Sequence, residues 1–211
     1  MIPETIVREG VRWVFMSRIL KKIQSIAYKT NDSIWFVREG NEEIQRLGGL
    51  SDYEVCFDGF EEIVEWLREN NATYPWMYSE IEISAAREYG HLIPYLKLKN
   101  DIVCYTKVGL NKVYIRDYGS VFSLAPNKAM FYDTTVLPSF RGKKLPQYLK
   151  NEIFIVLKKR GIDQIFAHIE PWNVASIKSN QRMGFKEIGS NRFVRVFGLK
   201  FHSNNPKILL S

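Results

Sequence analysis

The stretch Val136-Leu137-Pro138-Ser139-Phe140-Arg141-Gly142-Lys143-Lys144-Leu145-Pro146 decides how the rest of this chain is read. It joins a strand-like run, Ala129 to Val136, to a helix-like run, Leu145 to Arg160. A strand that passes through an Arg-Gly-Lys-Lys turn into a helix leaves the first N–H groups of the helix without intrahelical partners. The helix dipole adds positive potential at the same spot. Arg141, Lys143 and Lys144 surround it with cationic side chains, and the result is a cradle suited to a pyrophosphate. A second informative stretch follows, Asn173-Val174-Ala175-Ser176-Ile177-Lys178-Ser179-Asn180-Gln181-Arg182-Met183-Gly184-Phe185.

The bulk composition bounds what this cradle belongs to. The 211 residues are 45% hydrophobic and 14% aromatic, enough for one substantial core with or without a small appendage. A charged fraction of 25% argues against wholesale disorder. The apolar runs are short and interrupted by charges, so none reads as a transmembrane helix. Arg8, Glu9, Arg12 and Arg18 break what would have to be the apolar region of a signal peptide. Cys56 and Cys104 form neither a disulfide framework nor a metal cluster, the pattern of buried free thiols in a reducing cytoplasm. No metal is expected.

The net charge of +7 is unevenly spread. Residues 38–88 carry four Lys/Arg against thirteen Asp/Glu, and residues 89–211 carry twenty against seven. A basic surface also raises nucleic acid as a partner. No nucleic-acid motif accompanies it, so one acidic ligand near Arg141 is the more economical reading.

Residues 5–27 have helical periodicity, with Ile6, Val7, Val11, Val14, Phe15, Ile19, Ile23 and Ile26 apolar and Arg8, Arg12, Arg18, Lys21 and Lys22 on a basic face. Such a face suits peripheral contact with an anionic membrane, or packing on the core or on a second subunit in a homodimer. Ser33 to Val37 reads as a short strand and Asp52 to Asn70 as a helix. Pro75 interrupts, and Glu80 to Tyr89 is a further helix. Strands follow at Leu92–Leu98, Ile102–Val108, Lys112–Arg116 and Ala129–Val136, with Asn100-Asp101 as a hairpin turn. The chain then alternates: helix 145–160, strand Gln164–Glu170, helix Val174–Met183, strands Phe185–Gly189 and Phe193–Phe201. This order predicts a mixed α/β (α+β) fold with helices on both faces of one sheet. The organisation predicted is an amphipathic helix over 1–30, the main domain over 31–203 and a loose tail over 204–211.

The two quoted stretches, in this order and spacing, resemble the acyl-CoA motifs of the GNAT superfamily of N-acetyltransferases. The resemblance implies a mostly antiparallel sheet whose central parallel pair splays apart. It also implies acetyl-CoA as co-substrate, a small amine as acceptor, and direct attack of a primary amine on the thioester. In the family the pantetheine arm pairs with the free edge of the first splayed strand, here Thr134, Thr135 and Val136. The family cradle reads Arg/Gln-x-x-Gly-x-Gly/Ala, and Arg141, Gly142, Lys143, Lys144, Leu145 and Pro146 stand there. Lys144 replaces a glycine and is expected to keep a negative φ. Pro146 cannot donate an N–H, and the lysines offset that as point charges. Asn173 matches the asparagine that typically contacts the pantetheine arm, and Ser176, also a cofactor-binding candidate, matches the family's small residue. Asn180 stands where the family often has a tyrosine that protonates the leaving thiolate.

Strand alternation puts Phe166, His168 and Glu170 on one side, and Phe131, Asp133 and Thr135 together on one side of theirs. Asp133 and Glu170 are the candidate bases. His168 has a convenient titration range, but a histidine in a strand is as readily a packing residue. Tyr74, Trp76, Met77 and Tyr78 form an aromatic loop whose flat faces suit an acceptor such as an amino sugar, with Tyr74, Trp76 and Tyr78 as the acceptor-binding candidates. Two other functions remain open from the sequence: a GNAT-fold module that binds acyl-CoA without turnover, and a basic adaptor for partners or nucleic acid.

Overall fold

The computed structural model describes residues 28–44, 47–48, 50–116, 118–197 and 199–203. The predicted helix 5–27 and the tail 204–211 lie outside the described residues. Ten strands and four helices are described. The strands are β1 (Tyr28–Glu39), β2 (Tyr53–Cys56), β3 (Tyr95–Leu98), β4 (Asp101–Leu110), β5 (Lys112–Ile115), β6 (Ser120–Ser123), β7 (Lys128–Val136), β8 (Gln164–Ile169), β9 (Lys186–Val196) and β10 (Leu199–His202). The helices are α1 (Phe60–Asn70), α2 (Glu80–Tyr89), α3 (Leu145–Lys159) and α4 (Val174–Arg182).

Eight strands form one sheet in the order β10-β9-β1-β8-β7-β4-β3-β2, and β5 and β6 form a separate hairpin. Every pairing in the large sheet is antiparallel except β7 with β8. One face carries α3. Its residues Leu145, Leu149, Ile153, Phe154 and Leu157 pack on Val103, Ala129, Phe131, Ile165 and Ala167 of the strands. Each of the leucine, isoleucine, valine and phenylalanine side chains contributes about 1.5–3 kcal/mol by leaving water. The other face carries α1 and α2, packed on Tyr95, Ile102 and Tyr105, and the β5–β6 hairpin, packed on Trp35, Met130, Phe166 and Phe193. The mixed sheet with helices on both faces is therefore as the sequence predicts.

Several elements differ from the sequence expectation. The short strand at Ser33–Val37 is the twelve-residue β1, wedged between β8 and β9 at the middle of the sheet. Its buried Arg38 is tied down by Met183 O at 2.9 Å and Glu42 O at 3.0 Å, with the guanidinium over the Phe154 ring. The helix expected over Asp52–Asn70 is a strand and then a helix. Tyr53–Cys56 pairs with β3, and Gly59 caps α1. The strands expected at Phe185–Gly189 and Phe193–Phe201 are divided differently: β9 runs unbroken from Lys186 to Val196, because β1 pairs along it across an irregularity at Trp35/Phe36, and Leu199–His202 is the separate β10. The hairpin turn is Lys99-Asn100, one residue earlier than expected, with Lys99 at φ 57°.

Candidate active site

The site begins with the way β7 and β8 part. They pair only from Lys128 to Phe131 and from Gln164 to Ala167. Beyond that, β7 keeps its other edge on β4 as far as Val136, and β8 keeps its other edge on β1 as far as Ile169. A V-shaped gap opens between them, and the free backbone edge of Thr134, Thr135 and Val136 faces it. A bulge accompanies the parting. Lys107 is opposite Asp133 and Val108 opposite Phe131, so Tyr132 is the extra residue. The bulge reverses the expected alternation. Phe131 points to the α3 face, while Tyr132 and Asp133 both line a pocket on the opposite face.

The loop after β7 makes a short 3₁₀ turn at Pro138–Phe140 and then enters α3. Gly142 has φ 79° and Lys144 has φ 59°. The negative φ expected for Lys144 is thus wrong: its backbone takes the left-handed conformation although it carries a side chain. That conformation costs a non-glycine residue roughly 1–2 kcal/mol and clusters at functional sites. It turns the chain sharply onto the helix. Among the described residues, no acceptor takes the N–H groups of Gly142, Lys144 and Leu145. Free amides, a helix N-terminus and cationic side chains together make an anion site.

Gap and loop merge into one cleft of ≈ 780 Å³. It brings together the predicted Thr134, Thr135, Val136, Arg141, Gly142, Lys144, Pro146, Asn173, Ser176 and Asn180, and at its mouth Tyr74 and Trp76. It does not include the side chains of two predicted residues. Leu145 is fully buried in the core, and Lys143 lies over the Phe140 ring. Asn173 caps α4 by accepting the Ser176 N–H at 3.2 Å. Asn180 is buried and donates to Ser176 O at 2.8 Å. The cleft also holds residues that sequence reasoning missed. Trp172 is 76% exposed at its rim, and Lys150 of α3 reaches Asn180 Oδ1 at 3.1 Å.

A second pocket of ≈ 200 Å³ adjoins the first through Trp76, which lines both. The predicted Asp133, Glu170 and His168 meet there with Glu82, Arg116 and Tyr132. Tyr78 lines neither space. Its ring packs under the Arg68 guanidinium and its hydroxyl donates to Glu80. His168 packs at a tilt against Trp35 and Tyr118, at ring distances of 5.5 and 6.0 Å, as a wall of the pocket.

The pocket sits on a charge network. Lys107 is fully buried, and its ammonium bonds to Glu82 at 2.9 Å, Asp133 at 3.1 Å and Met77 O at 3.1 Å. Arg116 bonds to the other Glu82 oxygen at 2.9 Å and donates to Trp76 O at 3.1 Å. Asp133 also accepts from the Tyr105 hydroxyl at 3.0 Å and the Thr135 hydroxyl at 3.2 Å. Burial pushes the Tyr105 and Tyr132 phenols well above their ordinary range, so both stay protonated donors. Glu170 differs from Asp133. Among the described residues no donor engages its carboxylate, while its backbone O accepts the Asn173 N–H at 2.9 Å. No group of three or more His, Cys, Asp or Glu that could hold a metal occurs among the described residues. Cys104 is buried, and its thiol is pushed up to about 12 by burial. None of the described helices is long and apolar enough to cross a membrane.

No curated protein matches this sequence. Solved structures resemble the fold at low identity. A GCN5-related N-acetyltransferase from Sphaerobacter thermophilus aligns with TM-score 0.56 at 13% identity, over 86% of this chain and 56% of that one. The GCN5-related glucosamine N-acetyltransferase region of a fungal multi-domain GH3 β-N-acetylglucosaminidase aligns with TM-score 0.57 at 11% identity, over 88% of this chain and 23% of that one. AAC(6')-Iy, in complex with a CoA-S-monomethyl-acetylneamine bisubstrate analogue, aligns with TM-score 0.50 at 16% identity, over 64% of this chain and 91% of that one. The chain thus spans little more than half of the Sphaerobacter structure and less than a quarter of the fungal one. Residues 59–185 match the Acetyltransferase (GNAT) family, more than half of the sequence, and the chain belongs to that family.

Proposed function

We propose that this chain is an acyl-CoA-dependent N-acetyltransferase that moves an acetyl group from acetyl-CoA to a primary amine by direct attack. The observation that carries it is the single cleft in which the free edge of β7 runs directly into the left-handed basic loop at Arg141–Lys144. The residues fit the group. The loop offers unpaired amides and cations to a pyrophosphate, and the open strand edge offers N–H and C=O groups to an amide-bearing arm. CoA supplies the activated thioester; the protein supplies position, charge and proton transfer.

The second pocket is the acceptor side. Trp76 provides a flat apolar face; Glu82 and Asp133 are balanced by Lys107 and Arg116, so Glu170 supplies the net negative charge that attracts a cationic amine. Glu170 is the better-placed base, since its oxygens are free to take the amine proton directly or through water. Asp133, with its lone pairs committed to Lys107, Tyr105 and Thr135, fixes the geometry of the pocket instead. An amino sugar suits this combination of aromatic face and carboxylates. The CoA-S-monomethyl-acetylneamine bisubstrate analogue bound by AAC(6')-Iy and the glucosamine N-acetyltransferase region named for the fungal protein lend that acceptor class support. The basic pattern of residues 5–27 supports an additional peripheral contact with an anionic membrane.

The test is release of CoA thiol from acetyl-CoA against a panel of amino sugars, aminoglycosides, polyamines and amino-terminal peptides. Amine-dependent thiol release with at least one class supports the reading. CoA binding with no amine-dependent release points to a non-catalytic acyl-CoA-binding module.

A further inference from the structure

Aminolysis of a thioester forms an N–C bond and breaks the C–S bond, and the electron pair of the broken bond goes to sulfur. The departing thiolate then takes a proton to leave as CoA thiol. Asn180 has no ionisable proton to give. Among the residues lining the cleft, Arg141, Lys144 and Arg182 are exposed, and Tyr74 lies at the mouth against Trp76. Lys150 is different. It is 5% exposed, and its ammonium lies 3.1 Å from Asn180 Oδ1 and 5.1 Å from the centre of the Phe131 ring. Phe131 is the last β7 residue paired with β8, so the ammonium sits at the vertex of the gap. Asn180 is itself fixed, because its amide donates to Ser176 O at 2.8 Å and so turns its oxygen toward Lys150.

We propose that Lys150 is the proton donor to the departing thiolate, with Asn180 as the positioning residue that holds its ammonium toward the cleft. This rests on the acetyltransferase reading above. A buried ammonium is costly unless it is paired, and Lys150 has only a neutral amide oxygen and an aromatic face. Its helix neighbours Leu149 and Ile153 show that an apolar residue would pack at this level of α3. A charge kept there without a counterion suits a group whose anionic partner arrives with the substrate. Burial also pushes its pKa down to about 8, near the range in which a proton is readily given and regained. The titratable group facing it from β4 is Cys104, neutral because burial raises its thiol. The charged groups of the same cleft are Arg141 and Lys144 in the loop and Arg182 on α4. In the step, the acceptor nitrogen bonds to the acetyl carbon and gives a proton to the base side. The C–S bond breaks and Lys150 gives a proton to sulfur. Lys150 then recovers a proton from solvent, so the turnover is balanced.

The test uses CoA itself, so it does not wait for the acceptor. Wild type and Lys150→Met are titrated with CoA by calorimetry, and the thiol of bound CoA is titrated by thiolate absorbance. Lys150→Met should retain CoA binding. The bound thiol should ionise about one to two pH units lower in wild type than in the variant, the scale of a nearby unscreened charge. With an amine that wild type acetylates, the variant should lose about 10²-fold or more in turnover, and the alkaline limb near pH 8 should vanish. Asn180→Asp sets a carboxylate beside the ammonium and should move that limb upward; it decides the matter if Lys150→Met does not fold. Equal thiol ionisation in wild type and Lys150→Met, or an unmoved limb in Asn180→Asp, overturns the role of Lys150 and leaves the acetyltransferase reading standing. Failure of wild type to bind CoA overturns both.

Discussion

Lys107→Met removes one ammonium from a place where two carboxylates depend on it. Lys107 has no solvent exposure and contacts Glu82, itself 6% exposed, and Asp133, 21% exposed. Methionine fills a similar volume, so the cavity cost is small and the electrostatic consequence dominates. Breaking a buried ion pair by deleting one partner typically costs 3–5 kcal/mol. Arg116 still pairs with Glu82, and Asp133 keeps Tyr105 and Thr135, so the lower end of that range applies, about 3 kcal/mol. For a domain of this size that is a fall in Tm of roughly 6–12 °C. The assay is chemical denaturation and thermal melting of wild type, Lys107→Met and the triple variant with Glu82→Gln and Asp133→Asn. The triple variant lacks the stranded charges and should recover at least half of the loss, a non-additivity expected only of coupled groups. A Lys107→Met protein within about 1 kcal/mol of wild type would refute the buried network as a stabilising unit.

Other outcomes follow from individual residues. Lys144→Gly relieves a left-handed backbone and should leave stability equal or up to about 1 kcal/mol higher, while weakening CoA binding through the lost charge; denaturation and calorimetry read the two effects separately. Glu170→Gln should cut turnover by about 10²-fold with CoA affinity intact, and full activity with the wild-type pH profile would remove Glu170 as the base. His91 is buried, with one ring nitrogen 2.6 Å from Lys112 O and the other 3.2 Å from the Tyr132 hydroxyl, and burial lowers its pKa. Its contribution to stability is therefore present above the unfolded value of about 6.5 and lost as pH falls through the depressed folded value. Thermal melts between pH 7 and pH 5 should fall more steeply for wild type than for His91→Gln. A protein beginning at Tyr28, where β1 starts, should still bind CoA. If residues 5–27 contact membranes, only the full chain should sediment with anionic vesicles, and salt should release it.

The parts of this fold that local signals specify were legible in the sequence. The β7–loop–α3 unit and the β8–α4 unit carry strong punctuation, Arg-Gly-Lys-Lys in one and an Asn cap in the other, and their boundaries lie within a residue or two of expectation. Residues whose placement depends on distant partners were not. β1 reads as a short strand because Thr30, Asn31 and Asp32 ahead of Ser33–Val37 are polar and not buried, so no apolar pattern marks them as strand; their pairing with β9 does. The bulge at Tyr132 turns Asp133 to the face opposite Phe131, and nothing in Phe131-Tyr132-Asp133 announces it. Glu82, Lys107 and Arg116 come from α2, β4 and the end of β5, and each alone looks like a solvated charge. Lys150 had the same disguise, a lysine in a basic helix that the fold happens to bury. Lys144 is the reverse case. A residue type that favours negative φ is held in the left-handed region by the strand on one side and the helix on the other.

The most direct test of the account is calorimetric titration of the full chain and of Arg141→Ala combined with Lys144→Gly with CoA. These two cations line the cleft at the loop whose amides are free. The account predicts saturable binding to wild type and a loss of about 1–3 kcal/mol in the double variant, roughly five- to 150-fold in affinity, with no loss of stability. Binding of equal strength to both proteins, or no binding to wild type, would contradict it.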